Sequence, residues 1–358
     1  METRYMKMAL KLARKGLGRT SPNPAVGAIV IKEDRVIGRG YHKKAGFPHA
    51  EIEALKEAGG DADSAEMYVT LEPCRHTGRT PPCTDAIIKA GIKRVFIGTK
   101  DPNPLMAGKG IRSLRKAGVD VKTGLLEDDC IRINEAYNKY IRSKLPFITL
   151  KLAATLDGKI ATLGGESRWI TSEPARRHVH RMRSRADAIM VGIGTVLRDN
   201  PELTTRHVTG KDPIRFVVDS DLEIPLDAKV FTAKGGRLIV ATTRKADSKK
   251  MRMAEERGAM VLKIPSAGGG VNLKRLIAII GEMEITSLLI EGGSRLAASF
   301  IKEKIVDKFC FFYAPRIIGE EGMPMVGELG IRSLKDSFEL RDVSVRGFDR
   351  DIMVEGYR

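Results

Sequence analysis

A chain of 358 residues exceeds one ordinary hydrophobic core, so two domains are expected. Hydrophobic residues at 42% and charged residues at 30% exclude a disordered chain, and no apolar run reaches the roughly 18 residues of a membrane span. The formal charge of +17 suits nucleic acid or anionic small molecules, but Lys and Arg are spread along the whole chain and aromatics make up only 5%, which argues against nucleic acid.

The opening segment, METRYMKMALKLARKGLG, is charged throughout and reads as an amphipathic helix over 3–16, not a signal peptide. A cytoplasmic protein is therefore expected, whose four cysteines suggest metal or catalytic use before disulfides. AVGAIVI (25–31) and RVIGRGY (35–41) predict a hairpin, and 49–59 a helix ending at Gly59. A strand over 66–71, a helix over 82–91, a strand over 94–99, a helix over 109–118 and a short strand over 120–125 follow. A last helix spans about 127–143, and Pro146 marks the junction, which gives domains 1–145 and 146–358. The second domain alternates again. Strands are expected at 147–153, 188–194, 214–219, 237–242, 260–264, 287–292 and 308–314, and helices at 173–185, 248–257, 272–282 and 294–303. The glycine run 267–272 reads as a loop. Strands alternating with helices place both domains in the α/β class.

Two short stretches carry the chemistry of the first domain: HAE (49–51) and LEPCRHTGRTPPC (71–83). One His and two Cys suit a catalytic zinc site, which keeps three protein ligands and an open fourth position. His49, Cys74 and Cys83 are the candidates, and Glu51, in the first helical turn, is within reach to move a proton from the metal's water to a leaving amine. Zinc-dependent nucleobase deaminases carry H-x-E followed by P-C-x-x-C. Here eight residues separate the cysteines instead of two, but glycine and prolines allow the insertion to loop out and return Cys83 to a helix start, where a thiolate is favoured.

TSPNPAVGAIV, HAE, LEPCRHTGRTPPC and DPNPLMAGKGIRSLRKAGV together resemble the deaminase half of the bifunctional riboflavin-biosynthesis deaminase/reductases, a branch of the cytidine-deaminase-like superfamily with this longer cysteine spacing. The resemblance implies a three-layer domain, Zn2+ on His49, Cys74 and Cys83, and proton shuttling by Glu51. Asn23 is a candidate for hydrogen bonding a pyrimidine, with turn formation before Pro24 as the alternative. His42 and His76 stay open between structural or solvent-facing roles and substrate contact. Lys109, opening a helix between two glycines, suggests a phosphate site or a solvated side chain. Cys130 and Cys310 read as buried apolar residues.

In the second domain LLIEGGSRLAASFI (288–301) reads as a strand, a Gly-Gly turn and a helix, a weak signal for a pyrophosphate site. Together with LKLAATLDGKIATLGGESRWITS, VGIGTVLRDNPELTTR, VVDS and VATT it resembles the reductase half of the same enzymes. The resemblance implies a dihydrofolate-reductase-like fold and NADPH lined by Ala153, Trp169, Thr195, Asp199, Ser220 and the segment Gly293, Ser294, Arg295, Leu296, Ala297, Ala298 and Ser299. Ser167, Arg183, Leu203, Arg206 and Glu291 then contact the ribose-phosphate substrate, and Lys151 and Asp199 are the polar groups nearest the chemistry, with a core anchor the alternative for Trp169 and a surface charge on a basic helix the alternative for Arg183. Arg244, after RLIVATT, is a candidate for the cofactor's 2′-phosphate. The expected function is hydrolytic deamination of a phosphorylated diaminopyrimidine followed by reduction of its ribosyl chain, by a homo-oligomer without nucleic-acid or membrane partners. A zinc deaminase acting on nucleic acid is the alternative.

Overall fold

The computed structural model describes residues 2–75 and 82–358, in two compact units, Met1–Lys144 and Leu145–Arg358. The first unit runs α1 (Glu2–Ala13), β1 (Gly27–Lys32), β2 (Arg35–Tyr41), α2 (Ala50–Ala58), β3 (Glu66–Leu71), α3 (Cys83–Lys89), β4 (Arg94–Thr99), α4 (Lys109–Lys116), β5 (Asp120–Thr123), α5 (Glu127–Ile133) and α6 (Glu135–Ser143). Its sheet has the order β2-β1-β3-β4-β5, antiparallel among the first three strands and parallel from β3 to β5. Strand side chains alternate between faces, and the burial follows that period of two. Ala28, Val30, Met67, Val69, Val95 and Ile97 pack under α2, α3 and α4, whereas Ile29, Ile31, Tyr68 and Phe96 pack against α1 and α5. The result is three layers.

Glycines bring the helices onto this sheet. A Cβ at Gly27 would lie 2.0 Å from the Ala9 carbonyl oxygen of α1, and one at Gly40 would lie 2.0 Å from that of Ala50 in α2. The start of α2 can therefore sit only where β2 has no side chain.

The second unit runs β6 (Phe147–Thr155), β7 (Lys159–Ala161), α7 (Glu173–Arg185), β8 (Ala188–Gly192), α8 (Ile193–Asp199), β9 (Ile214–Val218), α9 (Lys229–Thr232), β10 (Leu238–Thr242), α10 (Ser248–Glu256), β11 (Ala259–Lys263), β12 (Ser266–Ala267) and β13 (Gly270–Val271). It continues with α11 (Leu273–Glu282), β14 (Ser287–Glu291), α12 (Ser294–Lys302), β15 (Lys308–Ala314), β16 (Met323–Pro324), β17 (Arg341–Phe348) and β18 (Asp351–Tyr357). Nine strands form one sheet, β11-β10-β9-β8-β14-β6-β15-β18-β17, parallel from β11 to β15 and closed at one end by the antiparallel β18 and β17. Its central parallel strands are buried on both faces, with α11 and α12 covering one and α10 contributing to the other.

Three expectations need correction. The helix over 127–143 is broken at Asn134, whose side chain leaves the helical pattern to bracket Ala25, accepting from its N–H at 2.8 Å and donating to its carbonyl at 3.0 Å. The 267–272 loop contains a two-stranded ribbon, β12 with β13. The strand expected over 188–194 ends at Gly192, where α8 begins; beyond these three, the C-terminal hairpin β17–β18, turning at Asp349–Arg350, answers to no expected element although RDVSV alternates.

Replacing Gly40 by Ala should force α2 away from β2 and destabilise the first unit by roughly 1–3 kcal/mol, the range for overpacking a tight contact. Thermal unfolding checks this, and an unchanged melting profile would contradict the close approach.

Candidate active sites

In the first unit the sheet delivers three donors to one place. His49 is the extended residue capping α2, Cys74 lies in the segment after β3, and Cys83 is the first residue of α3. His49 Nδ1 lies 3.2 Å from Cys83 Sγ and 3.5 Å from Cys74 Sγ, and the Cys83 backbone N–H points at Cys74 Sγ at 3.4 Å. All three donor atoms fall within 4.8 Å of one another. Two sulfurs and an imidazole nitrogen converging so closely fit Zn2+ and leave one position open.

Glu51, in the first turn of α2, is only 3% exposed and lies against this set. Burial, with the charge of Cys74 added, pushes its carboxyl up to about 7. The hydrogen bond from the Cys83 thiol holds Cys74 down to about 4, and the same contact pushes Cys83 up. Behind His49, the buried His42 packs its ring edge-on against the His49 ring at 5.2 Å. His42 Nδ1 meets the Pro48 carbonyl at 3.2 Å, and its Nε2 lies 3.4 Å from Asn23 Nδ2. Asn23 and His42 thus form a layer behind the metal ligand.

The start of α4 is not an open phosphate site at Lys109. Its first N–H groups are taken by the Glu72 carboxylate, which accepts from Gly110 at 2.9 Å and Ile111 at 3.1 Å. Sequence reasoning passed over Glu72, although an acidic residue ending the apolar strand EMYVTL was the signal. His76 lies outside the described residues.

The second unit carries two adjoining cavities at the C-terminal ends of its parallel strands, where α/β sheets bind ligands. One, of about 460 Å³, is lined by Lys151, Ala153, Trp169, Arg183, Leu203, Arg206 and Glu291 among others. The other, of about 870 Å³, is lined by Gly293, Ser294, Arg295, Leu296, Ala298 and Ser299 of the turn into α12. Ser167, Thr195 and Asp199 line both, and Ser167 Oγ donates to Asp199 Oδ1 at 2.8 Å. Ala153 and the 59% exposed Trp169 lie on the side of the substrate candidates. Ala297 is buried beneath the turn, while Ser220 lines neither cavity and instead accepts through Oγ from Val271 N–H at 3.2 Å. Arg244 is exposed beyond β10 and also lines neither. Gly292 and Gly293 have φ of +65° and +67°, and Cβ atoms there would press on Thr195 Oγ1 at 3.0 and 3.2 Å. A side chain is disfavoured at this turn on both counts.

The polar centre of the smaller cavity is a buried cluster. Arg183 grips Glu291 with Nε to Oε1 at 2.7 Å and Nη2 to Oε2 at 3.0 Å, and its Nη1 donates to the Thr204 carbonyl at 3.0 Å. Lys151 Nζ lies 3.9 Å from Glu291 Oε2. Burial raises the Glu291 carboxyl's proton affinity, but Arg183 and Lys151 outweigh it and hold the group near 2. Burial lowers the Lys151 ammonium's hold on its proton. His180, unnoticed in the sequence, accepts the Arg206 N–H through Nδ1 at 3.1 Å, and burial followed by Arg183 drives it down to about 4. It is a neutral prop for the backbone of Arg206.

Residues 146–354 match the family described as RibD C-terminal domain, and residues 1–99 match the cytidine and deoxycytidylate deaminase zinc-binding region. The chain is 48% identical over 355 residues to the riboflavin biosynthesis protein RibD of Aquifex aeolicus, covering 99% of this chain and 98% of that protein. It is 37% identical to the RibD of Escherichia coli, covering 97% of each. Among solved structures it is similar to Acinetobacter baumannii RibD, with a TM-score of 0.89, 35% identity and 99% and 98% coverage. It is also similar to a Thermotoga maritima diaminohydroxyphosphoribosylaminopyrimidine deaminase/5-amino-6-(5-phosphoribosylamino)uracil reductase, with a TM-score of 0.87, 38% identity and the same coverage.

Purified protein should carry about one zinc per chain, and Cys83→Ser should lose most of it, whereas Glu51→Gln should keep it because Glu51 is no ligand. Metal analysis of the two variants decides this, and full occupancy in Cys83→Ser would remove the site.

Proposed function

The chain belongs to the RibD family, and from that membership we propose how its residues carry out two consecutive steps of riboflavin biosynthesis. It is a bifunctional enzyme, a zinc-dependent pyrimidine deaminase joined to an NADPH-dependent reductase. The deaminase replaces the 2-amino group of 2,5-diamino-6-(5-phosphoribosylamino)pyrimidin-4-one by oxygen, and the reductase converts the ribosyl chain of 5-amino-6-(5-phosphoribosylamino)uracil to ribityl. A deaminase of nucleic acid is not favoured. The phosphates of substrate and cofactor suit the +17 charge equally well.

In the deaminase, His49, Cys74 and Cys83 hold Zn2+, which activates a water in its open position when bound. Glu51 takes that water's proton and returns it to the departing amine. Asn23 holds the pyrimidine, and His42 keeps the His49 ring in its orientation. The observation that carries this reading is the convergence of three donors within 4.8 Å beside a buried carboxylate.

In the reductase, NADPH supplies a hydride when bound. Ala153, Trp169, Thr195, Asp199 and the segment Gly293–Ser299 hold the cofactor, with the start of α12 toward its pyrophosphate, and Ser220, turned to Val271, takes no part. Ser167, Leu203 and Arg206 hold the ribose phosphate. Arg206, half exposed and paired through Nη1 with Glu202 at 2.8 Å, meets that phosphate from the surface, while the buried Arg183 spends its donors on Glu291 and Thr204 and so fixes Glu291 in place. As the sugar opens, its C1–O bond breaks, C1 takes the hydride, and the ring oxygen takes a proton. Lys151 is the proton donor, because burial weakens its hold on that proton and Glu291 keeps it in the cavity. Asp199, tied to Ser167 at the boundary of the two cavities, orients the reacting ends.

The enzyme is a homo-oligomer in this reading. The edge strand β17 leaves residues 341–347 exposed on both faces, with Val343 at 55% and Val345 at 66%, an edge that self-pairing would cover. Light scattering should give a mass above the 39.4 kDa of one chain. Four cysteines, none of them in a disulfide, fit a cytoplasmic enzyme, which cell fractionation tests.

Glu51→Gln should lower ammonia release by at least about 10²-fold, the lower range for a lost proton-transfer group. Supplied with the deaminated intermediate, the same variant should consume NADPH at the rate of the unaltered enzyme. Near-normal ammonia release would assign the proton transfer elsewhere, and loss of both activities in a folded variant would mean that the sites are not separate.

A further inference from the structure

Glu72 directly follows β3 on the way to Cys74, and it is only 3% exposed. A buried carboxylate is costly unless its oxygens are fully engaged. Here each oxygen takes two backbone N–H groups. Oε2 accepts from Asp101 at 3.2 Å and Gly108 at 2.9 Å, and Oε1 accepts from Gly110 at 2.9 Å and Ile111 at 3.1 Å. The first pair closes the base of loop 101–108. The second pair occupies the first turn of α4, whose positive dipole end favours the anion. One side chain thus fastens both ends of a loop to the segment that enters the metal site. Gly110 packs so closely that a Cβ there would lie 2.1 Å from the Pro73 carbonyl oxygen, next to Cys74.

The loop leaves β4 where β4 lies beside the end of β3, since Glu72 N–H donates to the Thr99 carbonyl at 2.9 Å. Loop 101–108 and Cys74 therefore emerge from the same end of two neighbouring parallel strands. Cys74 has its own anchors, independent of the Glu72 carboxylate. Thr84 N–H donates to its carbonyl at 3.2 Å and Cys83 N–H to its sulfur at 3.4 Å.

We infer that Glu72 is a positioning residue of the deaminase: its carboxylate holds loop 101–108 beside the donor set as a wall of the pyrimidine site, without holding the metal. The inference rests on the deaminase reading above. Its role depends on a group that only accepts hydrogen bonds. In Gln, whichever way the amide turns, an NH2 faces two backbone N–H donors, so half of the clamp becomes repulsive.

The test uses the full chain, the diaminopyrimidine phosphate as substrate, and Glu51→Gln as the inactive control. Glu72→Gln should raise KM for deamination by at least about tenfold, the loss expected when hydrogen bonds to a charged group are removed. Its kcat should stay within about threefold, its zinc content should match the unaltered chain, and it should reduce the supplied intermediate normally. Hydrogen exchange should show lost protection at the Gly108, Gly110 and Ile111 amides, with α2 unchanged. Glu72→Asp, which keeps an acceptor-only group, should recover part of the KM loss. Gly110→Ala, which leaves the carboxylate intact but pushes α4 from Pro73, should also raise KM, and it decides the matter if Glu72→Gln fails to fold. Unchanged KM in either folded variant overturns the inference, as does zinc loss in parallel with activity. No ammonia release from the unaltered chain would instead overturn the deaminase reading itself.

Discussion

A carboxylate taken out of water must have its charge met by fixed donors, and each unit of this chain is organised around one that is. In the first unit Glu72 collects four backbone N–H groups and so ties a loop, a helix start and a metal-ligand segment together. In the second, Glu291 collects both arms of Arg183 and the nearby ammonium of Lys151. The compensation differs in kind, dipoles in one case and cations in the other. The consequence is shared: parts distant in sequence are held in one geometry, which is what a reaction site requires.

Around these anchors the sheets do the placing. In the deaminase unit, glycines on β1 and β2 let α1 and α2 approach the sheet at backbone distance, so the N-terminus of α2 presents His49 and Glu51 at a set depth. In the reductase unit, parallel strands end together, and the turns that follow β8 and β14 line adjoining cavities. Thr195, Ser167 and Asp199 line both cavities.

Much of this was legible beforehand. HAE and LEPC show the zinc set in residue type, because His and Cys are nitrogen and sulfur donors that zinc takes, and the fold brings His49, Cys74 and Cys83 together. The alternation of strands and helices follows from period two against period 3.6, and most elements lie where those periods put them. What escaped had tertiary causes. Asn134 breaks a helix that its sequence supports, because its amide is drawn to Ala25, 109 residues away. Glu72 looks like the polar end of a strand until α4 closes on it. Ser220 lies in a motif segment, yet its hydroxyl turns to Val271 and lines neither cavity.

By itself, the sequence determined the family, the two-part α/β organisation and the three zinc donors, since these depend on local pattern and on which atoms a residue owns. Tertiary structure alone decided what those residues are free to do. Arg183 and Arg206 are the same residue type in basic stretches, but the fold buries the first against Glu291 and leaves the second half exposed in a surface pair with Glu202. Likewise only the fold decided that the start of α4 is closed by Glu72 instead of open to a phosphate. The physical reason is that burial and partner geometry set the free energy of a charge, and both come from chain segments far apart in sequence.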